Sequence, residues 1–139
     1  MTPETIAALQ AAREAELRQA HYYRTLAAKA EEAADEALSE RFNDLHADEQ
    51  HHLSRITARL MELGASTAED GAVHAPEPGT GTSLEGWEGA ARLREEAEVM
   101  RYEALAAGDL DAHTAALVRE ILDTERHHAE TLGGKWTPA

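Results

Sequence analysis

The sequence predicts an all-α fold, a single four-helix bundle made of two helix hairpins joined by a long crossover. Three observations predict it. Four stretches carry apolar residues at spacings of three and four, the mark of helices with one buried face. Gly, Pro, Ser and Thr concentrate in the segment between the second and third stretches. The two halves of the chain also repeat a common pattern of Glu, Tyr and His.

The first stretch, from about Pro3 to Ala33, is rich in Ala, Glu, Leu and Arg and contains no Gly. Thr2 is placed to cap it and Pro3 to occupy its first turn. A second helix is expected from Asp35 to Leu63, stopped by Gly64. From Ala65 to Ser83 the composition turns to Gly, Thr, Pro and Ser, as in Gly71-Ala72-Val73-His74-Ala75-Pro76-Glu77-Pro78-Gly79. Neither half could cover its own apolar face, so this segment reads as a crossover running the length of a bundle rather than a domain linker. A third helix is expected from Leu84 to Ala107, ending at Gly108. The fourth follows an Asp109 or Asp111 cap and runs to Leu132, ending at Gly133-Gly134. Residues 1–134 thus form one domain, and 135–139 a short tail that is loose or docked by Trp136.

The chain of 139 residues carries 27 Asp and Glu against 13 Lys and Arg, a formal net charge of -14. That balance argues against nucleic acid or an anionic membrane as partner, because phosphate binding needs clustered cations. There is no Cys, which excludes disulfides, thiolate metal sites and thiol catalysis. No signal peptide is read at Met1-Thr2-Pro3-Glu4, and no apolar stretch approaches a membrane span, so a cytoplasmic protein is expected.

The repeat carries the chemistry. Glu16 is followed seven residues later by Tyr23 and 33 residues later by Glu49, in Asp48-Glu49-Gln50-His51-His52. Glu95 is followed seven residues later by Tyr102 and 30 residues later by Glu125, in Thr124-Glu125-Arg126-His127-His128. Each half therefore offers a lone Glu, a Tyr and a Glu-x-x-His pair. Superposing Glu16 on Glu95 also pairs Ala12 with Ala91, Arg13 with Arg92, and Leu26 with Leu105. Superposing Glu49 on Glu125 pairs Leu45 with Ile121. All these Glu and His residues fall on apolar stripes: Leu45, Glu49, His52, Ile56 and Leu60 share one face, as do Leu117, Ile121, Glu125, His128 and Leu132.

An ionised Glu in such a stripe is costly unless a cation or proton compensates it, and four at matched depth call for metal. In each pair the Glu can bridge two ions while the His caps one, and Glu16 and Glu95 each chelate from the side. Four carboxylates and two imidazoles suit iron or manganese better than structural zinc, magnesium or calcium. One Glu-x-x-His is weak evidence in a chain this rich in Glu, and the bland alternative is an Ala-rich bundle with solvated charges. Two pairs, each with its upstream Glu and Tyr, are hard to obtain by accident.

With those residues in view, the chain resembles the ferritin-like superfamily and, within it, the rubrerythrin branch, over essentially its whole helical length. The segment Glu16 to Ala30, ending Tyr23-Arg24-Thr25-Leu26-Ala27-Ala28-Lys29-Ala30, looks like the first helix of rubrerythrins. The resemblance implies a site of two iron ions, with manganese possible, held by Glu16, Glu49, His52, Glu95, Glu125 and His128. It implies that Tyr23 and Tyr102 hydrogen-bond the ligand carboxylates and take part in catalysis. Glu98 breaks the repeat, because its counterpart is Gln19. Rubrerythrins carry an extra Glu at that offset, which one iron exchanges for the second helix's His as redox state changes. By that likeness Glu98 is both a metal ligand and a catalytic residue, sharing an ion with His52; otherwise it is a polar residue near the bundle edge.

The other polar residues are expected to be quieter. Glu14 and Glu96 lie off the stripe and should be solvated. His51 and His127 point about 100° away from the ligand face, towards surface or helix contacts. His46 lies three residues before Glu49 on the inner face, where a hydrogen bond to a ligand is conceivable. His21, His74 and His113 read as ordinary polar positions.

The leading functional expectation is a non-haem di-iron redox enzyme that reduces hydrogen peroxide or reacts with oxygen. Rubrerythrins commonly append a Cys-ligated rubredoxin domain; without Cys, an external electron-donor protein is expected instead. The alternative is a ferroxidase or iron-storage protein. Dimanganese catalase and a non-enzymatic structural bundle stand behind these. A homodimer or larger homo-oligomer is expected.

Overall fold

The computed structural model describes residues 1–67 and 84–132. They form four α-helices, α1 (Pro3–Glu32), α2 (Glu36–Glu62), α3 (Leu84–Ala106) and α4 (Ala112–Thr131). The tail 135–139 and most of the expected crossover, with His74, lie outside the described residues.

Local chemistry fixes the helix ends. The Thr2 hydroxyl accepts from the Thr5 N–H at 3.1 Å, satisfying one of the donors that a helix start leaves open. α1 ends in a turn where Asp35 N–H donates to the Ala30 carbonyl (2.9 Å) and Ala34 N–H to Glu31 (3.0 Å). This paired closure needs a left-handed residue, and Ala34 supplies it at φ +59° where Gly is usual. Asp35 then caps α2, accepting from the Leu38 N–H. α2 closes in the same way on Gly64 at φ +74°, the stop that the sequence indicates. Of the two cap candidates for α4, Asp111 takes the role: it accepts from the Thr114 N–H at 2.8 Å. Arg59 selects it, donating to Asp111 Oδ2 (2.7 Å) and to the Thr114 hydroxyl (2.9 Å), which ties the end of α2 to the start of α4.

The helices pair as two antiparallel hairpins, α1 with α2 and α3 with α4, with α1 against α3 and α2 against α4 across the bundle. Two apolar clusters fill the interior. One contains Leu9, Ala12, Ile56, Leu60, Leu105, Val118 and Ile121. The other contains Tyr22, Tyr23, Leu26, Leu38, Phe42, Leu45 and Leu132. α2 ends at the first cluster and α3 begins, with Trp87, beside the second. The end of α2 and the start of α3 therefore lie at opposite ends of the bundle. Phe42 is fully buried and stacks on Tyr23, with ring centroids 6.2 Å apart. Truncating Phe42 to Ala would open a cavity costing about 3–5 kcal/mol and remove the support that fixes the Tyr23 ring. Among the described residues, no helix is long and apolar enough to cross a membrane.

Candidate metal centre

Between the two apolar clusters lies a polar layer, one turn thick, to which every helix contributes. α1 supplies Glu16, α2 Glu49 and His52, α3 Glu95, and α4 Glu125 and His128. Their period of three or four puts them on the buried stripes, so packing the stripes together also packs these side chains together. All four carboxylates are 0% exposed, and both imidazoles are buried.

The six residues form two overlapping groups. Glu16, Glu49, His52 and Glu125 bring one donor atom each within 4.8 Å of one another, and so do Glu49, Glu95, Glu125 and His128. Glu49 and Glu125 belong to both, the shared positions that the repeat assigns to bridging groups. His52 Nδ1 lies 3.6 Å from Glu16 Oε1 and 3.4 Å from Glu125 Oε1. His128 Nδ1 lies 3.3 Å from Oε1 of both Glu49 and Glu125. Both Nδ1 atoms, both oxygens of Glu49 and of Glu125, and Oε2 of Glu16 and Glu95 are buried without a hydrogen-bond partner. Native interiors rarely leave so many polar atoms unsatisfied, and here they converge. Oxygen and imidazole donors of this kind fit a metal such as iron or manganese.

The electrostatics of the metal-free layer agree. Burial, reinforced by Glu16, Glu125 and Glu95, holds the Glu49 carboxyl far above its ordinary range. Burial and Glu95 do the same to Glu125. Burial alone would raise Glu16 too, but the neighbouring His52 and Glu49 and the hydrogen bond from Tyr102 outweigh it and leave Glu16 lowered. For His128, burial favours the neutral ring, yet the contact with Asp48 and the nearby carboxylates of Glu125 and Glu95 win and raise it to about 11. Without a cation the layer therefore keeps protons on His128, Glu49 and Glu125 in place of metal charge.

Around the layer the two halves hold each other. Tyr23 donates to Glu95 Oε1 at 2.5 Å, and Tyr102 donates to Glu16 Oε1 at 2.6 Å. Burial, with the adjacent carboxylates, pushes both phenols well above their ordinary range, so both remain donors at any physiological pH. Sequence reading gives no role to Asp48 or to the Gln19 side chain, yet both act here. Asp48 Oδ2 lies 2.9 Å from His128 Nε2, which fixes the ring and directs Nδ1 inwards. Its counterpart in the other half, Thr124, turns back to the Glu120 carbonyl, so the two imidazoles are not held alike. Gln19 donates to Glu95 Oε1 at 3.3 Å and accepts from Arg94 Nε at 2.9 Å. The local signal was present, an Asp beside Glu49, but its partner sits on another helix.

Glu98 is not part of either group. It is buried one turn along α3, with Oε2 3.5 Å from Arg101 Nε. Burial and the negative charges of Glu16 and Glu95 raise its carboxyl to about 7, against the pull of Arg101 and Arg18. His46 Nδ1 lies 2.8 Å from the Ala20 carbonyl on α1. The ring is close enough to α1 to meet the backbone first, so it ties two helices together. His51, His127, His21, His113, Glu14 and Glu96 are exposed, as their faces imply.

The profile of the Ferritin-like domain matches residues 6–135. The chain belongs to the ferritin-like family. No curated protein matches this ferritin-like chain. Among solved structures, M. penetrans ferritin superposes with a TM-score of 0.85, covering 99% of this chain and 85% of that one. The two share 17% identity, so that likeness speaks for the fold. The buried Glu and His layer of this ferritin-like bundle falls where its four helices face one another.

Proposed function

We propose that this ferritin-like protein handles iron as a ferroxidase, binding two ferrous ions in the Glu and His layer and passing their electrons to oxygen or hydrogen peroxide. One observation carries this reading: two four-residue donor groups share Glu49 and Glu125, with eight buried donor atoms lacking any other partner. Family membership and the ferritin neighbour support iron oxidation ahead of the peroxidase role expected from sequence.

In this reading each residue has a stated task. Glu16, Glu49, His52, Glu95, Glu125 and His128 would hold the ions, with Glu49 and Glu125 common to both donor groups. Asp48 orients the His128 ring, while Tyr23 and Tyr102 hold the side carboxylates in place from the opposite half. Loading requires protons to leave His128, Glu49 and Glu125, so metal uptake is favoured by rising pH. Ferrous iron supplies one-electron chemistry that none of these side chains performs. Two ferrous ions give two electrons to one hydrogen peroxide, whose O–O bond breaks with uptake of two protons to leave two waters and two ferric ions. The apolar clusters on either side keep bulk water from the layer.

A second reading is a rubrerythrin-like peroxidase with resident iron and an external electron donor. The observation favouring it is Glu98, which breaks the pseudo-two-fold repeat and lies buried next to the charge of Glu16. The test is anaerobic loading with ferrous iron, followed by peroxide or oxygen, with ferric absorbance recorded. A ferroxidase releases or mineralises the ferric product, whereas a peroxidase keeps two irons and cycles when reductant is supplied. Oxidation no faster than that of ferrous iron in buffer would overturn both readings.

A further inference from the structure

Just outside the metal layer, between α1 and α3, lies a cavity of about 190 Å³ lined by Ala15, Arg18, Gln19, Arg94, Ala97 and Glu98. When Glu16 is superposed on Glu95, these six residues become three equivalent pairs: Ala15 with Arg94, Arg18 with Ala97, and Gln19 with Glu98. The cavity thus sits on the pseudo-two-fold relating the two hairpins, and each pair is unlike. Where one helix carries an Arg, the other carries an Ala, and the two methyl groups leave the room that two longer side chains would fill. A larger groove of about 550 Å³ adjoins it at Ala97 and runs along α1 and α3 past Arg101.

The inner wall is one residue thick. Gln19 touches the cavity on one side and donates to the ligand carboxylate Glu95 on the other. Glu98 is only 8% exposed, and its Oε2 has no hydrogen-bond partner. Arginines gather here in a chain of net charge -14: Arg18 and Arg94 line the cavity beside Glu98, and Arg101 lies 3.5 Å from Glu98. Arg94 is held there by Gln19 and by the Tyr22 ring, 4.4 Å from its guanidinium carbon. Charges this close act well inside the Debye length of about 8 Å at physiological ionic strength.

We infer that this cavity is the port through which hydrogen peroxide reaches the metal layer, and that its arginines turn ferrous ions away to another route. The inference rests on the dimetal reading above. A neutral molecule of two oxygens fits the space. It can accept from the guanidinium groups and donate to Glu98 Oε2, which takes part in no hydrogen bond, whereas dioxygen gains nothing from a polar lining. A divalent cation meets Arg18 and Arg94 in the lining, with Arg101 beside them, against the single lining carboxylate of Glu98.

Ala97→Leu fills the cavity from an exposed position of α3, and Ala97→Ser keeps it open while changing the same residue. Cobalt(II) uptake by metal-free protein, followed by stopped-flow absorbance, reports cation access without turnover. Peroxide oxidation of the ferrous-loaded protein reports oxidant access. Ala97→Leu should take up cobalt with wild-type rate and stoichiometry yet oxidise several-fold more slowly with peroxide, while Ala97→Ser and the oxygen reaction remain as wild type. Arg18→Glu should speed cobalt uptake by about tenfold at low salt, a difference that shrinks as salt rises. Wild-type protein that binds no stoichiometric cobalt would sink the dimetal reading and the port together. Normal cobalt binding with an unchanged peroxide rate in Ala97→Leu would sink the port alone. Equal slowing of cobalt and peroxide would overturn the exclusion of cations, and equal slowing of oxygen and peroxide would overturn the choice of peroxide.

Discussion

Tyr23 and Glu95 lie 72 residues apart in sequence, yet the phenol donates to the carboxylate at 2.5 Å in the middle of the bundle. Tyr102 and Glu16 repeat the contact in the opposite sense, so each hairpin holds the side carboxylate of the other. The repeat in the sequence is therefore closed across the hairpins, not within them. Hairpin docking and the positions of Glu16 and Glu95 are coupled through these two bonds.

Tyr23→Phe removes the donor and leaves Glu95 Oε1 with the longer bond from Gln19 and the His128 ring at 3.6 Å. A hydrogen bond to a buried charged group contributes roughly 1.5–3 kcal/mol, and loss of a partner that orients a ligand costs about 10–100-fold in metal affinity. The variant is expected to melt lower and to bind ferrous iron at least tenfold more weakly in an anaerobic titration. Unchanged affinity would show that the Tyr23 bond does not position Glu95.

Glu16→Ala removes the side ligand of one donor group and leaves the Glu49, Glu95, Glu125 and His128 group intact. Metal analysis should fall from two ions per chain to one. Because metal relieves the repulsion among buried carboxylates, the loaded wild-type protein should melt well above its metal-free form, and Glu16→Ala should show a smaller gain. Identical melting of loaded and metal-free wild type would refute this coupling.

Glu98 makes metal-free stability depend on pH. Its folded pKa of about 7 exceeds the ordinary 4.5, so the folded protein holds this proton more tightly than the unfolded chain does. The associated stability is fully present below pH 4.5 and is lost as pH rises through 7, about 3 kcal/mol in all. Glu98→Gln lacks this titration. Urea unfolding of both metal-free proteins should therefore show the variant gaining on wild type between pH 5 and about 7.5, and a constant difference would contradict the assignment.

Glu98→Gln also separates the two functional readings. If Glu98 joins the site when the metal charge rises, the substitution should slow peroxide oxidation more than it weakens equilibrium ferrous binding. Stopped-flow oxidation set against an anaerobic titration gives both numbers. Equal peroxide rates in the two proteins would leave Glu98 outside the redox cycle and favour the ferroxidase alone.

Ala34→Gly tests the hairpin turn. A side chain in the left-handed region costs about 1–2 kcal/mol, and Gly loses about 0.5–1 kcal/mol of that advantage through unfolded-state entropy. A net gain of roughly 0.5–1 kcal/mol in unfolding free energy is expected. A lower melting temperature would mean that the Ala34 conformation is not under strain.

The sequence by itself determined the four helices, the stops at Gly64 and near Gly108, and the layer of Glu16, Glu49, His52, Glu95, Glu125 and His128. Those are matters of period and local propensity: a residue's face on a helix follows from its spacing to apolar neighbours, whatever lies opposite. What lies opposite was decided only by tertiary structure. Tyr23 could have reached a carboxylate of its own half, His46 had a ligand one turn away, and Asp109 and Asp111 were equal as caps. The choices fell to Glu95, the Ala20 carbonyl and Asp111 because axial offset and crossing angle between packed helices set which side chains meet. Asp48 on His128 and the cavity between Ala15 and Ala97 have the same origin, since both exist only where two helices bring unlike residues of a repeated pattern face to face.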